Sequence, residues 1–167
     1  MKINSNFFPK FFIKFVLSKQ TNNRIMKKTL SILMLGIGAF SFAQDRDITF
    51  EQLPEKGKKF IKTHFKSAQI KSVILDDDYL SKDYEVILAN GTKIEFDGSG
   101  NWKEVDGKRN IIPIAYAPEK IIAYVKKSFP NTSIVKIEKN KYSYEVELSN
   151  GLDIDFDARG NFKRIDD

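Results

Sequence analysis

The chain of 167 residues contains no cysteine and one histidine, His64. Without cysteine there is no disulfide, thiolate metal site, cysteine nucleophile or lipoprotein-type anchor. One imidazole cannot build a histidine metal cluster or furnish a second catalytic base. A phosphate loop, a dinucleotide fingerprint and a G-x-S-x-G serine context are also missing. No segment reaches the ~20 apolar residues that a permanent membrane helix requires. Hydrophobic residues make up 41% and charged residues 30% of the chain, a composition able to fold and long enough for one domain or two very small ones.

Acidic residues are absent from residues 1–43, a stretch that carries seven basic side chains, all three methionines and half of the fourteen phenylalanines. The formal charge of +6 therefore belongs to this stretch, and the remaining 124 residues hold 21 basic and 22 acidic side chains, a net of −1. Nucleic-acid binding loses its electrostatic support. From Met26 the text MKKTLSILMLGIGAFSFAQ has a short basic start, an apolar run from Leu30 to Phe40, and Ser41-Phe42-Ala43. This is the three-part pattern of a secretory signal peptide over 26–43, cleaved between Ala43 and Gln44. Residues 1–25, with Pro9, Lys10 and Lys14 breaking a phenylalanine-rich run, read most simply as an upstream extension of the gene, with translation starting at Met26; an amphipathic membrane-surface segment and an unusually long n-region are the alternatives.

The remainder repeats itself. LPEKGKKFIKTHFKSAQIKSV lies over APEKIIAYVKKSFPNTSIVKI at an offset of 64 residues, and YEVILANGTKIEFDGSGNWKEVD over YEVELSNGLDIDFDARGNFKRID at an offset of 60. The second block is identical at 13 of 23 positions. The boundaries are 44–109 and 110–167. Each copy opens with a helix whose apolar or small face is Leu53, Gly57, Phe60, Ile61 and Phe65, or Ala117, Ile121, Tyr124, Val125 and Phe129. Pro54 and Pro118 stand at the helix starts, and Glu55 and Glu119 suit the positive helix end. Alternating strands follow from Ile70, Tyr84, Lys93 and Trp102, and from Ile134, Tyr144, Asp153 and Phe162. Asn90-Gly91 and Asn150-Gly151 predict type I′ hairpins. The expected fold is α+β: two tandem helix-plus-four-stranded antiparallel meander repeats, with the helices on one face of the sheet.

Helix-then-meander repeats reading YEV-x-L-x-NG-x-x-I-x-F-D-x-x-GN-W/F resemble the PepSY-like proteins of the bacterial envelope, a family described as similar to the β-lactamase-inhibitor protein fold. The resemblance covers both copies. It implies a non-enzymatic periplasmic or secreted domain, with inhibition of a peptidase or other enzyme suspected for some relatives, and it supplies no functional residues.

The DGSGN and DARGN turns have Asp at one end and Asn at the other, but Ala158 and Arg159 stand where calcium ligands would be needed, so a turn capped by Asp and closed by a left-handed glycine is expected. No metal, cofactor or catalytic residue is expected. His64, equivalent to Ser128, sits at the edge of an apolar face. The candidate site is the longer loop of the first copy, where Asp76, Asp77, Asp78, Tyr79 and Leu80 form a protein-binding loop, and the shorter loop near Lys139–Ser143 offers nothing comparable. The expected partner is another envelope or secreted protein, not nucleic acid, with no stable membrane insertion after signal cleavage. A structural or small-ligand-binding role is the alternative.

Overall fold

The computed structural model describes residues 45–77 and 81–166. The segments read as upstream extension (1–25) and signal peptide (26–43) lie outside the described residues.

Two ten-residue helices form, α1 (Glu55–His64) and α2 (Glu119–Ser128), each entered from a proline, Pro54 or Pro118, in extended backbone. Proline lacks the N–H that a first helical turn cannot satisfy, and the acidic residue after it faces the positive helix end. Lys62 and His64, or Lys126 and Lys127, occupy the last turns, where cations are favoured. Each helix closes when an aromatic residue's backbone N–H, of Phe65 or Phe129, donates to the carbonyl of Ile61 or Val125 at 2.8 Å. Gly57 and Ile61, and Ile121 and Val125, are the buried faces.

Among the described residues nine strands accompany them: β1 (Arg46–Ile48), β2 (Ile70–Asp77), β3 (Lys82–Leu88), β4 (Lys93–Asp97), β5 (Trp102–Asp106), β6 (Ile134–Lys139), β7 (Ser143–Leu148), β8 (Asp153–Asp157) and β9 (Phe162–Asp166). They make one antiparallel sheet whose spatial order equals the chain order. This corrects the expected architecture. Among the described residues the protein is mostly sheet, with two α-helices, and it is not two tandem helix-plus-four-strand repeats. Two findings overturn that expectation. Strand β5 pairs directly with β6, Val105 standing opposite Ile137. A ninth strand, β1, lies on the outer side of β2, with Ile48 opposite Val73. The physical reason lies in the strand edges. Periodicity reports which face of a strand is apolar, whereas an open edge presents unpaired N–H and C=O groups that any available strand satisfies. A lone unit of some 54 residues would also bury only about 60% of its unfolded surface, so merging into one sheet gains core.

One face of the sheet carries the core. Val86, Ile94, Phe96, Val105, Ile137, Val146, Leu148, Ile154 and Phe156 are all fully buried and join Ile61, Ile121 and Val125 of the helices in one cluster. Phe60 of α1 meets Phe96 edge-on at 5.7 Å, and Tyr124 of α2 meets Phe156 edge-on at 5.5 Å. At Gly57 a Cβ would stand 3.1 Å from Leu53 and 3.5 Å from Phe96, so glycine lets α1 lie close on the sheet.

The Asn-Gly hairpins also differ from expectation. Gly91 and Gly151 have φ of +88° and +85°, but Asn90 and Asn150 do not enter the left-handed region, so the turns are not type I′. Leu88 N–H donates to Thr92 O and Gly91 N–H to Leu88 O, both at 2.9 Å, giving a three-residue loop closed by a left-handed glycine. Asn90 Oδ1 accepts from Thr92 N–H at 3.0 Å, which uses the asparagine as a side-chain brace.

Candidate functional site

Antiparallel order places the β2–β3, β4–β5, β6–β7 and β8–β9 connections on one end of the sheet, beside the N-termini of both helices. This rim is where the sequence-predicted loop falls. Asp76 and Asp77 end β2, with Asp76 opposite Asp83 and Asp77 opposite Lys82. Successive strand residues point to opposite faces, so these two carboxylates do not converge. Asp78, Tyr79 and Leu80 lie outside the described residues.

The two β4–β5 and β8–β9 turns are built alike. Asp97 Oδ1 accepts from Ser99 and Asn101 backbone N–H groups, each at 2.9 Å, and Oδ2 accepts from Asn101 Nδ2 at 2.8 Å. Asp157 accepts the same three bonds from Arg159 and Asn161 at 2.8, 2.9 and 2.9 Å. A helix lysine caps each arrangement, Lys56 Nζ donating to Asn101 Oδ1 at 3.0 Å and Lys120 Nζ to Asn161 Oδ1 at 3.1 Å. Burial opposes charge on Asp97, but the bonds from Asn101 and Ser99 outweigh it and hold its carboxyl below the ordinary range. At Asp157 the bonds from Asn161 dominate, with the same result. These carboxylates are committed to their own turns. Gly100 and Gly160, at φ of +78° and +75°, supply the left-handed position in each, as expected for turns of this sequence.

The β6–β7 turn holds a residue that sequence reasoning missed. Tyr142 is 72% exposed at its tip, with the Lys141 amine 5.0 Å from the ring centre. The shorter turn therefore displays an exposed aromatic of its own. Its signal in the sequence is an aromatic residue inside a Lys-Tyr-Ser turn. Four strand spacings, about 19 Å, separate this turn from the β2–β3 connection.

Behind the rim an aromatic cluster spans the β5–β6 seam. Trp102 contacts Tyr116 at 5.1 Å, Phe60 at 6.2 Å and Tyr144 at 6.5 Å, with Lys139 Nζ 5.6 Å from its ring. His64 packs on Phe60 at 4.8 Å and Tyr116 at 5.2 Å, and burial lowers its pKa. No carboxylate orients the imidazole among the described residues. The Tyr116 hydroxyl is buried with no hydrogen-bond partner among those residues, and burial raises its pKa.

The face of the sheet opposite the helices is charged. Glu85, Glu95, Glu104, Glu138, Glu145 and Asp155 stand opposite one another in one row across six consecutive strands. Lys93 lies 2.7 Å from Glu95, 3.4 Å from Glu104 and 3.9 Å from Glu85, and Lys136 bridges Glu104 and Glu138 at 3.5 and 3.6 Å. Desolvation opposes charge on Lys93, but Glu95 and Glu104 prevail and raise its pKa. Glu145 has no ion-pair partner among the described residues, and burial followed by neighbouring carboxylates raises its pKa against the pull of Lys136. At the other end of α2, Ile112, Ile114, Ile122, Val125, Phe129 and Ile134 line a groove of about 240 Å³. That is smaller than the roughly 300–1,000 Å³ of most small-molecule sites.

Residues 82–164 match the family described as "Putative beta-lactamase-inhibitor-like, PepSY-like". Among solved structures, the chain is 41% identical to "a putative calcium-regulated periplasmic protein" from Bacteroides thetaiotaomicron, with a TM-score of 0.72 over 74% of this chain and 97% of that one. It is also 41% identical to a "putative periplasmic protein" from Bacteroides vulgatus, with a TM-score of 0.71 over 78% of this chain and all of that one. A second Bacteroides vulgatus chain, a "putative periplasmic protein of unknown function", is 32% identical with a TM-score of 0.70, over 74% of this chain and 100% of that one. No curated protein matches the chain. No described helix is long and apolar enough to cross a membrane. The identity to these structures, nearly all of whose length is covered, and the family match together establish that the chain belongs to the PepSY-like family.

Proposed function

We propose that the protein is an exported, non-catalytic binding protein of the bacterial envelope, which engages another envelope or secreted protein through the loop rim and so inhibits or regulates it. The observation that carries this reading is Tyr142, 72% exposed at the tip of a short turn with Lys141 against its ring. A rigid aromatic held outward on a sheet scaffold is a typical anchor for a protein partner. The acidic end of β2 adds a second charged element to the same rim. Export is supported by the signal-peptide pattern and by the periplasmic description of the structural relatives. The non-catalytic part of the reading rests on the family, and among the described residues His64 packs on the rings of Phe60 and Tyr116.

One relative is described as calcium-regulated. Among the described residues the donor set does not fit that ion. Calcium takes six to eight oxygens, whereas the oxygens of Asp97 and Asp157 accept bonds from their own turns and a lysine amine sits on each neighbouring asparagine. Among the described residues no three His, Asp or Glu side chains converge as metal ligands.

Affinity capture from envelope extract, using the protein as its own cells process it, tests the reading. A specific partner is expected, and Tyr142→Ala should weaken its binding at least tenfold, the loss of a typical anchor. Unchanged capture by Tyr142→Ala and Lys141→Ala would reject the rim as the binding surface. Turnover lost on replacing a single carboxylate would reject the non-catalytic reading. N-terminal sequencing of the mature protein should begin at Gln44.

A further inference from the structure

Strands β5 and β9 are equivalent in sequence, yet their edges differ. Val105 of β5 is fully buried because β6 lies against it, whereas Ile165 of β9 is 41% exposed and Phe162 is 42% exposed. At the opposite end of the sheet β1 covers β2, and Ile48 stands opposite Val73 as Val105 stands opposite Ile137. The β9 edge has no such cover among the described residues. We propose that β9 pairs antiparallel with β9 of a second copy of the chain, about a two-fold axis through Ile165.

The order of side chains selects this occupant and this register. Phe162 and Ile165 stand opposite Phe156 and Ile154, on the core face, and Arg164 and Asp166 stand opposite Asp155 and Asp153, on the charged face. Lys163 is the extra residue of a bulge between them. Residues directly opposite in an antiparallel pair share a face, so a two-fold register must keep both faces matched. An axis at Arg164 or at Asp166 would set like charges against each other. An axis at Ile165 sets Ile165 on Ile165 and places Arg164 opposite Asp166 twice, once in each direction. Edge strands usually carry charge that discourages pairing, but here the charges have both signs in a self-complementary order. Arg164 already reaches Asp166 of its own strand at 2.9 Å and Asp155 at 2.8 Å, so its guanidinium lies on the face where the partner carboxylate would arrive. Phe162, stacked on Tyr124 of α2 at 4.8 Å and 12°, extends the apolar strip beside the axis. With few residues paired, the dimer is a weak and concentration-dependent one, below the area of a permanent interface.

Sedimentation velocity of the chain as its cells process it, from about 10 μM to about 1 mM, tests this, since weak interfaces dissociate in that range. A reversible monomer–dimer equilibrium is expected. Arg164→Asp and Asp166→Arg should each weaken dimerisation roughly tenfold, because each sets two like-charge pairs at the axis. An equimolar mixture of the two variants should recover the dimer, since the two acidic positions of one variant then face the two basic positions of the other. Ile165→Cys, which introduces the only thiol in the chain, should form an intermolecular disulfide under mild oxidation. A chain that stays monomeric throughout, or a dimer indifferent to both reversals and to their mixing, would overturn the proposal. Loss of the rim partner on Tyr142→Ala bears only on the function proposed above, and not on β9.

Discussion

Glu104 stands directly opposite Glu138 at the β5–β6 seam, and two carboxylates meet where the two halves of the sheet join. Like charges in this position repel, and Lys136, 3.5 Å from one and 3.6 Å from the other, bridges them, with Lys93 a further cation 3.4 Å from Glu104. Lys136→Met should therefore destabilise the fold by about 1–2 kcal/mol, the range for a half-buried charge-assisted contact. Adding Glu104→Gln to that variant should restore part of the loss. Urea unfolding of the single and double variants measures both effects.

A single sheet with a single core should unfold as one unit. Phe156 is fully buried in the second half and Trp102 lies in the first. Phe156→Ala should cost about 3–5 kcal/mol, the usual loss for a buried aromatic. It should also lower the midpoint followed by Trp102 fluorescence by the same amount as that followed by far-ultraviolet circular dichroism. Separate midpoints would indicate halves that melt independently.

Gly100 and Gly160 share a left-handed backbone but have different surroundings. A Cβ at Gly100 would stand 2.8 Å from Pro54 Cβ and 3.0 Å from Gly57 N, whereas one at Gly160 would meet its neighbours at 3.4 to 3.5 Å. Alanine at either position costs about 1 kcal/mol in backbone strain. Gly100→Ala should lose about 1–3 kcal/mol more, because the helix start must shift to admit the methyl group. Parallel thermal melts distinguish the two variants.

Tyr116 buries a hydroxyl that finds no partner among the described residues. Removing an unpaired buried polar atom while keeping the ring should stabilise the protein, and Tyr116→Phe is expected to gain about 1 kcal/mol in urea unfolding.

The pH dependence of stability has two limbs of opposite sign. Glu85 and Glu145 have pKa values raised above 4.5, burial being the largest cause for each. Their charged forms disfavour the fold at neutral pH, so stability rises as pH falls through their folded values toward 4.5. Asp97, Asp106 and Asp157 have pKa values held below 3.8, at Asp97 and Asp106 against burial and at Asp157 chiefly by Asn161. Their contribution is complete above 3.8 and is lost as pH falls through the lower folded values. In a His64→Gln background, which removes an imidazole whose pKa burial lowers and which would cost stability as pH falls below 6.5, urea midpoints between pH 7 and pH 2 should pass through a maximum near pH 4–5, set by these two opposing limbs. Glu145→Gln should flatten the upper limb, and Asp97→Asn the lower.

Local structure was legible because it depends on near neighbours in the chain. Pro54 and Pro118 marked the helix starts, Asp97 and Asp157 the capped turns, and strict alternation in YEVIL and YEVEL the buried faces of β3 and β7. Type I′ geometry at Asn90-Gly91 failed because a three-residue loop with a single left-handed glycine matches the strand twist equally well. Asp76 and Asp77, expected in a loop, end strand β2, and the exposure of Tyr142 was not legible. A residue's exposure at a turn depends on how its strands sit in the sheet, which length and composition of the turn do not encode.

The missing cysteine chemistry, the basic character of residues 1–43, the near-neutral remainder and the faces of helices and strands are written in the amino-acid order, since each follows from composition or from a period of 3.6 or 2. That β5 and β6 join, that Arg46–Ile48 forms a strand on β2, and that β9 is an uncovered edge among the described residues follow from the tertiary fold alone. Edge pairing is made by backbone groups common to every residue, so it leaves no signature in side-chain pattern and is resolved only when the whole sheet assembles.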